Sequence, residues 1–291
     1  VPERATITNM GADLGATTSI FPSDAQTKKF LARMGRAEDF VALAADKKAT
    51  YDEEVEIDLC AIEPLAAAPH MPDRMVAIKD LDGMQVDQAA IGSCTNSSYT
   101  DLKATAELLK DKRINPATDP LLDAGARLLE CACGPCIGIG GSPVSKGVCA
   151  RTFNRNFEGR SGTQDAQVYL VSPLTAAQAA LNGKFTNPAT WGTPPKKAEL
   201  PKRVPSIRQL FVFPPEDGAK VEVLRGPNIV ALERFSDMTD TVEGKIALKV
   251  GDNITTDHIM PAGAQIMALR SNIPAISEHV FTKVDPGFVA R

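Results

Sequence analysis

Apolar side chains along this chain recur at two spacings, and the spacing changes mark its elements. Residues 24–36 put Phe30, Leu31 and Met34 on one face and predict a helix, with Ser23 or Asp24 as N-cap and Gly35 as its stop. A second helix is predicted over 37–45. Residues 54–59 (EVEIDL) alternate charged and apolar side chains, the pattern of a half-buried strand. Residues 61–84 hold three prolines and a glycine and read as connection. A buried strand over 85–94 runs into a cysteine-bearing loop, and Leu102, Ala106 and Leu109 predict a helix over 101–110 capped by Ser98 or Thr100. An apolar run ending the segment 121–130 enters a second cysteine loop. Strands follow over 148–153 and 166–171, then a helix started by Ser172-Pro173 and stopped by Gly183. Residues 6–18 are rich in small side chains and suit a closely packed helix or a loop under a site. Strand, loop and helix in repetition predict a layered α/β domain whose site lies at the strand ends.

The pattern changes near residue 187. Residues 187–206 carry five prolines and several basic side chains and predict an exposed linker. Short strand-like pieces follow at 220–225 and 228–232, then a strand over 244–250 and a polar loop, GDNITTDHIMPAG (251–263). The expected organisation is an α/β core over 1–186, a linker over 187–235, and the start of a further, incomplete domain over 236–291.

With 291 residues, 43% hydrophobic and 23% charged, the chain has the composition of a globular protein with a sizeable core. A net charge of −4 gives no electrostatic reason to expect nucleic acid or an anionic membrane as partner. No apolar run approaches the roughly 20 residues that span a bilayer. The N-terminus shows neither a signal nor a transit pattern and lacks an initiator Met, so the expectation is a processed or partial chain in the cytoplasm, or in the mitochondrial matrix of a eukaryote.

The candidate chemistry lies between residues 91 and 160, in IGSCTNSS (91–98), CACGPCIG (131–138) and TFNRNFEGR (152–160). Six cysteines in a chain this long do not make a disulfide scaffold, and three of them fall within 131–136. Cys133 and Cys136 form a CxxC pair, and Cys94 ends a separate strand. Three thiolates suit zinc or an iron–sulfur cluster, with Cys131 a rival ligand. CGPC is also a thioredoxin-type redox motif, but the glycine-rich IGIGGSP after it is a poor helix start. Arg155 and Arg160 offer two guanidinium forks for carboxylate or phosphate; the alternative is two surface arginines in a polar loop. Asn154 and Asn156 add amides beside them. Asn9 and Asp13, four apart, would share a helix face. His258 neighbours Asp257, which is more often a turn than a catalytic pair. His70 and His279 have no partner nearby in sequence, and no GxSxG elbow supports a serine nucleophile.

As a set these blocks resemble the aconitase superfamily of iron–sulfur dehydratases. The matching segments are TNMGADLGATTSIFP (8–22), IGSCTNSSYTDL (91–102), ACGPCIG (132–138), FNRNFEGR (153–160), YLVSPLTAAQAALNG (169–183) and DNITTDHIMPAG (252–263). The resemblance implies a 4Fe-4S cluster held by Cys94, Cys133 and Cys136, with Cys131 a bystander. It implies that Arg155, Arg160 and Arg270 bind substrate carboxylates and that Asn9 and Asn154 lie near the cluster sulfurs. Asp13, Asp257 and His258 would belong to the catalytic network, the latter two in a mobile C-terminal swivel domain. The implied reaction isomerises citrate and isocitrate through cis-aconitate, in the tricarboxylic acid cycle. The alternatives are homoaconitase, isopropylmalate or methylcitrate-type dehydratases and, from another class, an apo-form RNA-binding protein; a zinc protein without chemistry is a third. The TTDHIMPAG segment on the same chain favours aconitase over two-subunit isopropylmalate isomerases. A small di- or tricarboxylic hydroxy acid is the expected partner, no membrane is, and the complete enzyme is expected to be a monomer.

The sequence also departs from the family. Asp13 stands where the family usually has Glu. The N-terminal Asp-Ser-His motif, the C-terminal Ser-Arg motif and a stretch near Asp119-Pro120 are absent, which leaves the chain without the family's catalytic base. The expectation is part of a longer enzyme, either a fragment or a subunit.

Overall fold

The computed structural model describes residues 1–110, 126–196, 199–202, 204, 210–224, 226, 229 and 234–291. The chain divides into two compact units, Val1–Ile207 and Arg208–Arg291, the break falling inside the stretch read as linker.

The first unit is built on a five-stranded mixed sheet. Its strands are β1 (Leu65–Ala67), β2 (Met75–Ala77), β3 (Gln88–Ala90), β4 (Val148–Arg151) and β5 (Gln167–Leu170), in the order β2-β1-β5-β4-β3. β3, β4 and β5 run parallel, with Ala89 opposite Ala150 and Ala150 opposite Tyr169. β1 pairs antiparallel with both β2 and β5. This is the mixed α/β architecture expected, with an antiparallel edge added to a parallel centre.

Alternation along the strands sorts side chains onto two faces. Ala66, Ala68, Ala150, Tyr169 and Val171 pack with Ile78, Val86, Ala176, Ala179 and Phe185. The opposite face carries Ala67, Cys149, Val168 and Leu170. Of the helices, α1 is Pro2–Met10, α2 Ala25–Arg33, α3 Tyr99–Leu109 and α4 Pro173–Asn182. Five buried residues of α4, four of them among its alanines, let it lie close on the sheet, with α3 beside it. Its ends are as read: the Ser172 side chain accepts from the Thr175 N–H, Pro173 occupies the first turn, and Gly183 closes it at φ 68°. Ser98 and Asp101 form a capping box on α3, and Asp24 and Thr27 form another on α2.

Several expectations fail, and each failure turns on whether the segment finds a partner. The helix over 37–45 is only a 3-10 turn, Ala37–Asp39. Val41 and Leu43 stay exposed, and the Leu43 backbone bonds to Ser23 instead. EVEIDL forms no strand; Val55, Ile57 and Leu59 face solvent, and alternation without a neighbouring strand satisfies no backbone group. The 61–84 segment is not mere connection, since it supplies the β1–β2 hairpin. Its run of alanines carries little strand propensity, and burial against β5 decides it. The 187–206 segment is partly seated: Trp191 packs on the core, and Arg33 donates to the Leu200 carbonyl. Residues 111–125, with half of the 121–130 segment, lie outside the described residues.

In the second unit the described residues form a 3-10 turn, Gly218–Lys220, and three short α-helices, α5 (Thr256–Ile259), α6 (Ala264–Met267) and α7 (Ile273–Ser277), with the Phe281 and Phe288 rings edge to face at 5.1 Å. The strands expected over 220–225 and 244–250 are absent among the described residues, and the piece expected over 228–232 lies, except for Ile229, outside them. Ile246 is exposed there, so the apolar alternation finds nothing to cover it.

Candidate active site

Three loops meet at the C-terminal ends of the parallel strands, as in open α/β sheets generally. The loop after β3 carries Cys94, the loop after β4 carries Asn154, Arg155 and Arg160, and the glycine-rich loop 133–141 carries Cys133 and Cys136.

Two consecutive residues at the end of β4 hold two of these loops. Arg151 is fully buried. Its Nη1 donates to the Pro135 carbonyl at 2.6 Å and its Nη2 to the Gly141 carbonyl at 2.7 Å, while Nε reaches Cys149 Sγ at 2.9 Å. Gln88 on β3 accepts from Nη2 at 2.9 Å and from the Cys149 thiol at 3.1 Å. The Phe153 ring lies 5.2 Å from the guanidinium carbon. Burial pushes the Cys149 thiol up from its ordinary value of 9.0, with the Arg151 charge opposing in part, so it is a neutral S–H donor at neutral pH.

Thr152, also fully buried, points the other way and holds the Cys94 loop. Its hydroxyl accepts from the Gly92 N–H at 2.9 Å and donates to the Gly92 carbonyl at 3.0 Å. Its carbonyl accepts from Thr95 Oγ1 at 3.1 Å, Asn96 Nδ2 at 2.8 Å and Ser93 Oγ at 3.2 Å. These bonds hold Ser93 at φ 85°, a conformation that costs a non-glycine residue about 1–3 kcal/mol. On its outer side the loop is tied to α1, where Thr6 Oγ1 donates to the Thr95 carbonyl at 2.6 Å.

The structure brings several expected site residues together. Asn154 donates to Asn9 Oδ1 at 2.9 Å, and Cys94 Sγ lies 3.9 Å from the same oxygen. Arg160 Nη2 is 3.8 Å from Cys136 Sγ. Arg155 Nε pairs with Asp13 Oδ1 at 3.0 Å, the Asp13 side chain being 4% exposed. Asn156 is buried beneath the arginine loop, donating to the carbonyls of Ala67, Ala68 and Val168. Gly138 is required where it stands: at φ 80°, an added Cβ would lie 2.9 Å from the Ser161 carbonyl carbon and oxygen.

The remaining expected residues are the thiols and three side chains of the second unit. Among the described residues no three His, Cys, Asp or Glu side chains are gathered as a metal site. Cys94 and Cys133 are exposed and Cys136 is half-buried, with Cys131 exposed nearby in sequence. The donor set still fits a soft metal centre in its chemistry: three reachable thiols on two loops fixed to one strand, with a guanidinium beside one of them and an amide beside another. Asp257, His258 and Arg270 belong to the second unit. There Asp257 is buried and accepts from the Ala262 N–H at 3.1 Å. His258 Nδ1 accepts from the Thr255 N–H at 2.9 Å in a capping box, and the exposed Arg270 donates to the Met267 carbonyl.

Sequence reasoning missed Arg151, Thr152, Gln88 and Cys149. The available signal was an arginine inside an apolar strand, where a charge needs a buried purpose.

No helix of the described residues is long and apolar enough to cross a membrane. Comparison with known proteins matches residues 1–84 and 115–183 to the aconitase family (aconitate hydratase). A 3-isopropylmalate dehydratase large subunit of Archaeoglobus fulgidus is 37% identical over 210 residues, 65% of this chain and 50% of that protein. One from Thermotoga maritima is 39% identical over 212 residues, 65% and 51% of the two chains, and one from Elusimicrobium minutum 36% over 208, 64% and 50%. The chain spans about half the length of the curated relatives it matches. With more than half of its residues in the family match, and with the blocks that carry the thiols and arginines converging at one end of the sheet, the chain belongs to the aconitase family.

Proposed function

We propose that the chain forms the cluster-binding part of a hydro-lyase that removes and re-adds water on a small hydroxy acid, of the 3-isopropylmalate dehydratase kind, together with a small subunit. The observation that carries this reading is the pairing of Arg160 with Cys136, together with the Asn9–Cys94–Asn154 group. Cys94, Cys133 and Cys136 would hold a 4Fe-4S cluster, and such a group, when bound, supplies a Lewis acid that weakens the bond to the departing hydroxyl. Arg155 and Arg160 bind and orient the substrate carboxylates, since a planar guanidinium matches a carboxylate fork. Asp13 fixes Arg155 through Nε, and the buried Asn156 holds the loop that carries both arginines. In the same reading Asp257 and His258 are catalytic residues and Arg270 binds substrate.

The relatives' names support isopropylmalate as substrate over the citrate reading, and with it a place outside the tricarboxylic acid cycle. Those relatives are named as large subunits, so the expected monomer gives way to assembly with a second chain. One observation favours citrate as a second reading: DNITTDHIMPAG stands on the same chain. The test is anaerobic reconstitution with iron and sulfide, followed by metal and sulfide analysis and assay of isopropylmalate and citrate side by side. Near-equal iron and sulfide, with isopropylmalate dehydrated faster, supports the proposal. Zinc without sulfide sinks it, and citrate turnover alone moves the chain to the second reading.

A further inference from the structure

A buried guanidinium with neutral acceptors needs a reason. Taking the charge out of water costs several kcal/mol, and a carboxylate partner would normally offset it. Among the described residues Arg151 donates to two backbone carbonyls, an amide oxygen and a thiol sulfur. The carbonyls belong to Pro135 and Gly141, which bracket the turn that follows Cys133 and contains Cys136. Within the turn, the Ile139 N–H donates to the Gly134 carbonyl at 2.8 Å and the Gly138 N–H to the Pro135 carbonyl at 3.3 Å. Gly138, Gly140 and Gly141 leave this segment with little stiffness of its own. Arginine suits the task because its planar fork presents several donors in fixed directions, whereas lysine offers a single point charge.

We propose that Arg151 is a positioning residue: it clamps both ends of the 135–141 turn to the end of β4 and so sets where Cys133 and Cys136 are presented relative to Cys94. Gln88 and Cys149 form its seat, fixing the guanidinium plane from β3 and β4. Because Thr152 holds the Cys94 loop, the geometry between the two thiol-bearing loops is fixed through one peptide unit. The inference rests on the reading that these thiols are metal ligands.

The experiment compares wild type with Arg151→Met, which keeps an unbranched apolar stem and removes every donor, and Arg151→Lys, which keeps the charge and one point of contact. Hydrogen exchange is followed by mass spectrometry on the full, metal-free chain, and the rate of iron loss to a chelator is measured after reconstitution. Arg151→Met is expected to speed exchange of the 134–141 amides at least about tenfold, while the β4 and β5 amides keep their wild-type rates. Arg151→Lys is expected to fall between the two, and iron loss is expected to quicken in the same order. Wild-type exchange in the loop of Arg151→Met overturns the clamp. Equal acceleration in loop and sheet also overturns it, by showing a general packing role. If Arg151→Met does not fold, Arg151→Lys decides by the same loop-against-sheet criterion. A faster loop with unchanged iron loss breaks the link between the clamp and the thiols. A wild type that takes up no iron refutes the hydro-lyase reading instead, and the exchange result still judges the clamp.

Discussion

Replacing Asn156 by Asp tests whether the arginine loop hangs from the sheet through one amide. Asn156 is 1% exposed, and its Nδ2 lies 2.8 Å from the Ala68 carbonyl, 3.1 Å from that of Val168 and 3.3 Å from that of Ala67. Carbonyls only accept, so the orientation of the amide is fixed by its surroundings. Asp has the same shape but turns the donor into an acceptor. An ionised carboxylate there would face three carbonyl oxygens out of water, and uncompensated buried charges of this kind cost about 3–5 kcal/mol. The side chain escapes by staying protonated, when its one O–H replaces an amide's two N–H groups and the loss falls to one hydrogen bond, about 1 kcal/mol. The aspartate carboxyl is therefore raised in the folded state. Stability of the variant is fullest below the unfolded carboxyl value, near 3.9, and declines as pH rises towards the folded one. Urea titrations of wild type and Asn156→Asp at pH 5 and pH 8 should show a gap that widens by about 1–3 kcal/mol at the higher pH. A gap below about 0.5 kcal/mol at pH 8, within the scatter of surface substitutions, would refute the reasoning.

Thr152→Val, which removes only the hydroxyl, should cost about 1–2 kcal/mol in urea unfolding and speed alkylation of Cys94 more than that of Cys136. Above pH 9.0 the buried Cys149 binds its proton more tightly folded than unfolded, so Tm should fall as pH rises past that value, and Cys149→Ala should flatten the decline. Asp24→Ala removes the α2 cap and the Arg4 pair and should lower Tm; Arg4 holds the Asp24 carboxyl well below its ordinary 3.8, so the difference from wild type should shrink as pH falls below that value. Cys136→Ser should fold as wild type yet retain less iron after reconstitution, and equal retention would remove Cys136 from the ligand set.

Caps and stops were the most legible features of the sequence, because they are settled within a few residues. Ser172, Pro173 and Gly183 bound α4 as read, and Asp24 and Ser98 do the same for α2 and α3. Strands were less legible because they depend on distant partners. Residues 54–59 have the better alternation and stay unpaired, while the plain alanines of β1 lie between β2 and β5. In the site, motif residues such as Cys94, Asn154 and Arg160 could be named from type and spacing. Arg151 and Thr152 could not, since nothing local reveals which loops will fold back onto the end of β4.

The adjacency of Arg151 and Thr152 makes the site sensitive to frame. Side chains alternate faces along a strand, so lengthening β4 by one residue exchanges the two sides. The guanidinium would then point towards the Cys94 loop and the hydroxyl towards the glycine-rich turn, and neither loop would find its donors. β4 is hydrogen-bonded on both edges, to β3 and to β5, so it cannot slide to correct the error. Substitutions at either position should be graded in effect, whereas a single-residue insertion or deletion between Gly147 and Arg151 should disconnect both thiol-bearing loops at once.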